Sequence, residues 1–352
     1  MPDKLRAAVL GATGLVGQMF VKLLDEHPMF EIVYVAASER SAGRSYCEAV
    51  NWVLGGSPPE SLCGIKVEKV GVDNVPKSEV DVVFSALPSS VAGEIEAGLA
   101  RRGFTVVSNA SPMRLEEDVP LLVPEINWDH VGLVKIQRQR RGWSGAIYKN
   151  PNCSSAILVL SLKPLLDNFG LEKVLVTTMQ AVSGAGYNGV PSMAILDNIV
   201  PFIAKEEEKL ANEPRKILGV YRGDRVEWAR FTIHATTTRV PVLHGHLESV
   251  YAYLSKPASV EDVVQAWESW RPWGSEKPFM APEKPVVYRR EVDRPQPRLD
   301  RMEGGGMSSV TGRARMVEDR LLAYLVLGHN LIRGAAGNAI LIAEMLAREG
   351  MI

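Results

Sequence analysis

Short apolar runs alternate with stretches of helical period through the first half of the chain. Residues 5–10 read as a buried strand, residues 18–25 place Met19, Phe20, Leu23 and Leu24 at helical spacing, and residues 32–37 form a second strand. Further strands are predicted at 80–85, 104–108, 121–124 and 146–149, which together read as a largely parallel sheet. Beyond residue 153 the alternation changes. Strands rich in Thr, Val and Leu are expected at 173–181, 231–240, 249–254 and 321–327, with helices near 191–212 and 260–270. The Pro-, Arg- and Gly-rich segment 271–310 reads as a long loop. An apolar helix over 331–348 is expected to return to the first domain. The fold class is therefore α/β: a Rossmann-type domain over 1–150 plus 330–352, and an α+β domain with a mixed sheet over 151–329.

Between the first strand and its helix runs Gly11-Ala12-Thr13-Gly14-Leu15-Val16-Gly17. Glycines there permit a tight turn and let a pyrophosphate approach the N–H groups of the helix start. The spacing is G-x-x-G-x-x-G rather than G-x-G-x-x-G, and its place inside a strand–turn–helix–strand unit is what gives it meaning. At the end of the second strand, Ser38, Arg40 and Ser41 suit a ribose 2′-phosphate, so NADP is expected, with Glu39 as the opposing residue. Ser85, Leu87 and Pro88, after the third long strand, are placed against the adenosine half.

Composition narrows the classes. A chain of 352 residues calls for two domains. Forty basic against forty-one acidic residues leave no net field for nucleic acid or a membrane surface, and the run 138–141 reads as a solvated loop. No apolar stretch reaches a membrane span, and no leader pattern opens the chain. Three cysteines, odd in number and without metal-ligand spacing, indicate neither a disulfide framework nor a metal site; Cys47 and Cys63 read as filler, and a cytoplasmic protein is expected.

Cys153 is the exception. Asn152 is a good N-cap, which puts Cys153 at the first helical position with Ser154 and Ser155 behind it. The dipole there is worth at most about 2 kcal/mol, or about 1.5 pKa units, and favours thiolate.

Five stretches then carry a resemblance: the glycine turn, N-P-N-C-S-S around Cys153, Q-A-V-S-G-A-G from Gln180, N-E-P-R-K-I-L-G from Asn212 and R-V-P-V-L-H-G-H from Arg239. In that order they resemble aspartate-semialdehyde dehydrogenase, in the branch found in archaea and fungi. The resemblance implies an NADP-linked, phosphate-dependent interconversion of L-aspartate 4-semialdehyde and 4-phospho-L-aspartate through a cysteine thioester, early in lysine, threonine and methionine synthesis. It implies Cys153 as nucleophile, His246 as acid–base group (His244 being the decoy) and Gln180 as orienting residue beside Asn152. It further implies Arg239 for the substrate carboxylate, Glu213 for its ammonium, Lys216 and Arg114 for phosphate, and Ser183, Gly184 and Asn330 near the nicotinamide. A homodimer or homotetramer joined through the second domain is implied as well. The rival on the same scaffold is malonyl-CoA reductase, which would share Cys153 and His246 but take a CoA thioester. N-acetylglutamyl-phosphate reductase is a more distant match, because its pattern around the nucleophile is not found in this chain. A regulatory protein without catalysis would be expected to have lost some of Cys153, Gln180, Arg239 or His246, none of which is missing.

Overall fold

A computed structural model describes residues 4–274 and 276–352. In the first half, β1 (Leu5–Leu10), α1 (Leu15–Asp25), β2 (Phe30–Ala37), β3 (Val67–Lys69), β4 (Val82–Ser85), α2 (Ser89–Arg101), β5 (Thr105–Ser108) and β6 (Ala146–Lys149) build one sheet. Its order is β3-β2-β1-β4-β5-β6 with every pair parallel; the order of strand addition reverses between β1 and β4, which opens the crevice where such sheets bind ligands. The strand centres are apolar because both faces are covered, one by α1, the other by α2 with Leu99 and Ala100.

The second half begins with α3 (Cys153–Phe169) and β7 (Leu171–Ala181), followed by α4 (Glu206–Ile217), β8 (Thr232–Val240), β9 (His246–Leu254), α5 (Val260–Ser269), β10 (Val286–Arg289), β11 (Ser309–Glu318) and β12 (Leu321–Gly328). The mixed sheet runs β8-β7-β9-β12-β11-β10, with β7–β8 and β10–β11 parallel and the rest antiparallel. Alternation is clean here: β9 buries every second residue from His246 to Leu254 against α3 and α5. A last helix, α6 (Gly337–Arg348), packs Ile340, Leu341, Ile342 and Leu346 against Phe20 and Phe84 in the first core. Each such aliphatic chain contributes roughly 1.5–3 kcal/mol by burial.

The structure departs from the sequence pattern in several places. Residues 121–124 make only one bridge, Leu121 to Lys149, because Pro124 opens a short helix. The segment 271–310 holds β10 and the short helix Pro297–Asp300; short elements among prolines leave no period to read. The C-terminal helix starts at Gly337 after a π-turn, Ile332–Ala336. Cys47 and Cys63 are joined in a disulfide, their Cα atoms 4.8 Å apart. Loop 47–63 folds back on itself to bring them together, which spacing alone does not reveal.

Candidate active site

Local sequence explains the placement of the thiol. Asn152 caps α3, its side-chain oxygen accepting from the N–H groups of Ser154 (3.1 Å) and Ser155 (3.2 Å), so Cys153 opens the helix at the end of β6. It lines a cavity of about 450 Å³ with Leu15, Val16, Arg114, Asn152, Ser183 and Gly184. That cavity shares Gly14, Leu87 and Pro88 with a second one of about 590 Å³ containing Gly11, Thr13 and Ser38. One cleft thus leads from the glycine turn to the sulfur.

Sheet register supplies the opposite wall. Arg239 on β8 pairs with Gln180 on β7, and Leu247 opposite Met179 brings His246 beside Gln180. These side chains share a face because partners in register point the same way. His246 Nε2 lies 3.2 Å from Cys153 Sγ, and Arg239 Nη1 donates to the Ala181 carbonyl at 2.9 Å. Gly184 is needed between them: a Cβ there would meet Arg239 Nη1 at 2.6 Å and His246 Cε1 at 3.1 Å. Asn330 clamps the same corner, donating to Ser183 Oγ at 2.9 Å and accepting from Gly245 N–H at 2.9 Å. His244 stacks on His329 and does not line the cavity that holds Cys153.

Electrostatics in this free protein differ from the sequence expectation. Burial first, and then the Glu206 charge, push the Cys153 thiol up to about 12 against the opposing pull of Arg239, Lys209 and the Ser154 N–H. Desolvation thus opposes the helix dipole and favours the thiol in the free protein. His246 is held well below the ordinary histidine value by burial, then by Arg239. Its Nδ1 accepts the Ala181 N–H at 3.1 Å, which leaves Nε2 as the protonated nitrogen facing Cys153.

Other site residues fall elsewhere. Lys216, buried, donates to the carbonyls of Arg114 (2.8 Å), Glu116 (2.7 Å) and Val119 (2.7 Å) and does not reach the cavity. Glu213 is occupied by Arg114 Nη1 (3.0 Å) and the Asn152 N–H (2.6 Å). The residues that meet the site lie seven positions earlier on α4. Glu206 accepts from Asn152 Nδ2 (2.7 Å), Gln180 Nε2 (3.3 Å) and Lys209 Nζ (3.0 Å), and Lys209 lines the cavity. Glu206 and Lys209 repeat the E-x-x-K spacing of Glu213 and Lys216 two helical turns away, on one face; that repeat was the signal in the sequence. Ser85 turns inward, its hydroxyl 2.7 Å from buried Glu96. Arg40 is exposed and Ser41 buried, and neither lines the cleft; Lys69, paired with Glu39, does. Gly334, also not anticipated, abuts the nucleophile: a Cβ there would lie 2.6 Å from that of Cys153.

The glycine turn fits a dinucleotide. Gly11 has φ of +77°, and a Cβ on it would sit 2.7 Å from the Ala86 carbonyl oxygen; one on Gly17 would meet the Gly11 oxygen at 2.1 Å. Gly14 caps α1 without a side chain, so the first-turn N–H groups face the cleft for a pyrophosphate.

The chain is similar to known proteins over nearly its whole length. Residues 6–134 match the family model for the semialdehyde dehydrogenase NAD-binding domain, and residues 162–333 match that for the semialdehyde dehydrogenase dimerisation domain. The aspartate-semialdehyde dehydrogenase of Archaeoglobus fulgidus is 49% identical over 98% of both chains. The malonyl CoA reductase (NADP) of Metallosphaera sedula is 38% identical over 100% of this chain and 99% of its own. Among solved structures, aspartate semialdehyde dehydrogenase with NADP from Candida albicans superposes with a TM-score of 0.89 at 41% identity, covering 99% of this chain and 100% of that one.

Proposed function

The chain belongs to the aspartate-semialdehyde dehydrogenase family, and from that premise we propose that it interconverts 4-phospho-L-aspartate and L-aspartate 4-semialdehyde through a thioester on Cys153. The observation that carries this reading is the 3.2 Å approach of His246 Nε2 to Cys153 Sγ in the cleft that starts at the glycine turn.

In the reductive direction the Cys153 sulfur adds to the acyl carbonyl as its proton passes to the departing phosphate; a C–S bond forms, the bond between the acyl carbon and the phosphate oxygen breaks, and hydrogen phosphate leaves. NADP in its reduced form, when bound, supplies the hydride that the thioester carbonyl accepts. The resulting thiohemiacetal oxyanion takes a hydrogen bond from His246 Nε2–H, then expels the thiolate as aldehyde forms. Gln180 orients the acyl group from the same sheet face. Arg239 pairs with the substrate carboxylate, Glu206 with its ammonium, and Lys209 and Arg114 receive phosphate. An ammonium on Glu206 also offsets the carboxylate charge that raises the thiol, so substrate binding itself favours the nucleophilic form.

Residues 1–150 and 330–352 serve cofactor binding, and 151–329 catalysis and assembly. Strands β7 and β8 leave Leu175, His234 and Thr236 open on their outer face, which suits a homodimer or homotetramer. The reaction stands early in lysine, threonine and methionine synthesis and belongs in the cytoplasm. There the Cys47–Cys63 pair would be open to reduction.

The full-sequence similarity to a malonyl CoA reductase keeps one second reading alive. Reduction of NADP with aspartate semialdehyde, in the presence and absence of phosphate, separates the two. Phosphate-dependent turnover is expected; rates indifferent to phosphate but driven by CoA would transfer the assignment to the reductase.

A further inference from the structure

Two charged side chains in the cleft take no part in the chemistry above. Parallel pairing sets Lys69, the last residue of β3, opposite Ala37, the last of β2, so Lys69 and Glu39 meet as an ion pair at the C-terminal edge of the sheet. Both line the larger cavity beside Ser38. Backbone contacts fix the position of Lys69: its carbonyl accepts from Asn74 Nδ2 at 2.8 Å, and the Val70 N–H donates to Ala37 at 3.0 Å. The two side chains remain well exposed, and an exposed ion pair is weak enough to exchange partners.

An acid just past the second strand ordinarily accepts from the ribose 2′-OH of NAD, whereas a cation there meets the 2′-phosphate of NADP. Here one site holds both, each neutralising the other. We propose that Glu39 and Lys69 form a two-way selector through which this site takes NAD as well as NADP. Against a 2′-phosphate, Lys69 leaves Glu39 for the more highly charged anion, and Glu39 turns to solvent because two anions repel at that distance. Against an unsubstituted ribose, the ion pair stays closed and the carboxylate accepts the 2′-OH. The proposal rests on the dinucleotide reading of the glycine turn.

Calorimetric titration of the full chain with NADP and with NAD reads the selector directly, and kcat/KM with each cofactor reads it in turnover. The intact protein should bind both. Lys69→Met should lower the ratio of NADP to NAD affinity about tenfold or more, the scale of one charge-assisted hydrogen bond. Glu39→Gln should raise that ratio. Failure of the unaltered protein to bind NAD would overturn the proposal, as would equal changes for both cofactors in both variants. Binding of both nucleotides with the expected ratios, but no turnover of aspartate semialdehyde, would uphold the selector and sink the proposed reaction.

Discussion

The imidazole of His246 offers its Nε2 to Cys153 at 3.2 Å while its Nδ1 is committed to the backbone N–H of Ala181. A backbone N–H can only donate, so the ring is fixed as the neutral Nε2–H form and acts as a hydrogen-bond donor toward oxygen that develops charge beside the sulfur. His246→Gln, which keeps a neutral donor, should then retain more kcat than His246→Ala. Because burial holds the histidine well below 6.5, its own titration should leave no limb near pH 6.5 in the rate profile. In stability terms, the unfolded chain binds a proton near pH 6.5 that the native ring refuses. His246 should therefore cost stability as pH falls below that value and nothing above it, measurable as a falling thermal midpoint.

Glu206 lies behind the thiol as well as behind Gln180 and Asn152. Its charge raises the Cys153 value, so Glu206→Gln should move the pH dependence of iodoacetamide alkylation at Cys153 to lower pH, by about one unit. The same variant should bind an ammonium-bearing substrate less well. Alkylation that stays at its original pH would show that the carboxylate exerts no field on the sulfur.

The two lysines of α4 should separate cleanly. Lys209→Met should raise KM for phosphate, at a cost of about tenfold in kcat/KM for a lost charge-assisted contact, with little change in melting temperature. Lys216→Met should instead destabilise the fold, since the buried carbonyls of Arg114 and Val119 lose this donor, at roughly 1–3 kcal/mol. Paired phosphate kinetics and thermal melts decide the matter, and a reversal of the two results would return the phosphate site to Lys216.

Gly334 stands where a methyl group cannot. With the added Cβ 2.6 Å from that of Cys153 and 2.9 Å from its Cα, Gly334→Ala must displace the first turn of α3. We expect kcat to fall by about a hundredfold, the usual penalty for a misplacement of around 1 Å, while NADP affinity measured by titration changes far less.

The Cys47–Cys63 link should protect two of the three thiols. Alkylation of the unfolded, non-reduced protein is expected to add one label by mass, and alkylation after reduction three. Closing a loop of this length restrains the unfolded chain by about 3 kcal/mol, so reduction should lower the melting temperature.

By itself the sequence determined whatever is encoded within a few neighbouring residues. The glycine turn between β1 and α1, the cap that places Cys153 at a helix start, and the change from unbroken apolar strands to alternating ones all follow from local stereochemistry and period. Which charges meet was decided only by the folded chain. Glu206 and Glu213 sit at equivalent positions on one helix face, and nothing within α4 tells which faces the cleft; packing against α3 and β8 selects the first. Lys69 finds Glu39 through strand pairing across a long loop, Cys47 finds Cys63 by loop closure, and the thiol rises because the tertiary fold removes water that a single helix would leave in place. Short-range geometry fixes the elements, but desolvation and partner choice depend on contacts between residues distant in sequence, whose free energy no local window contains.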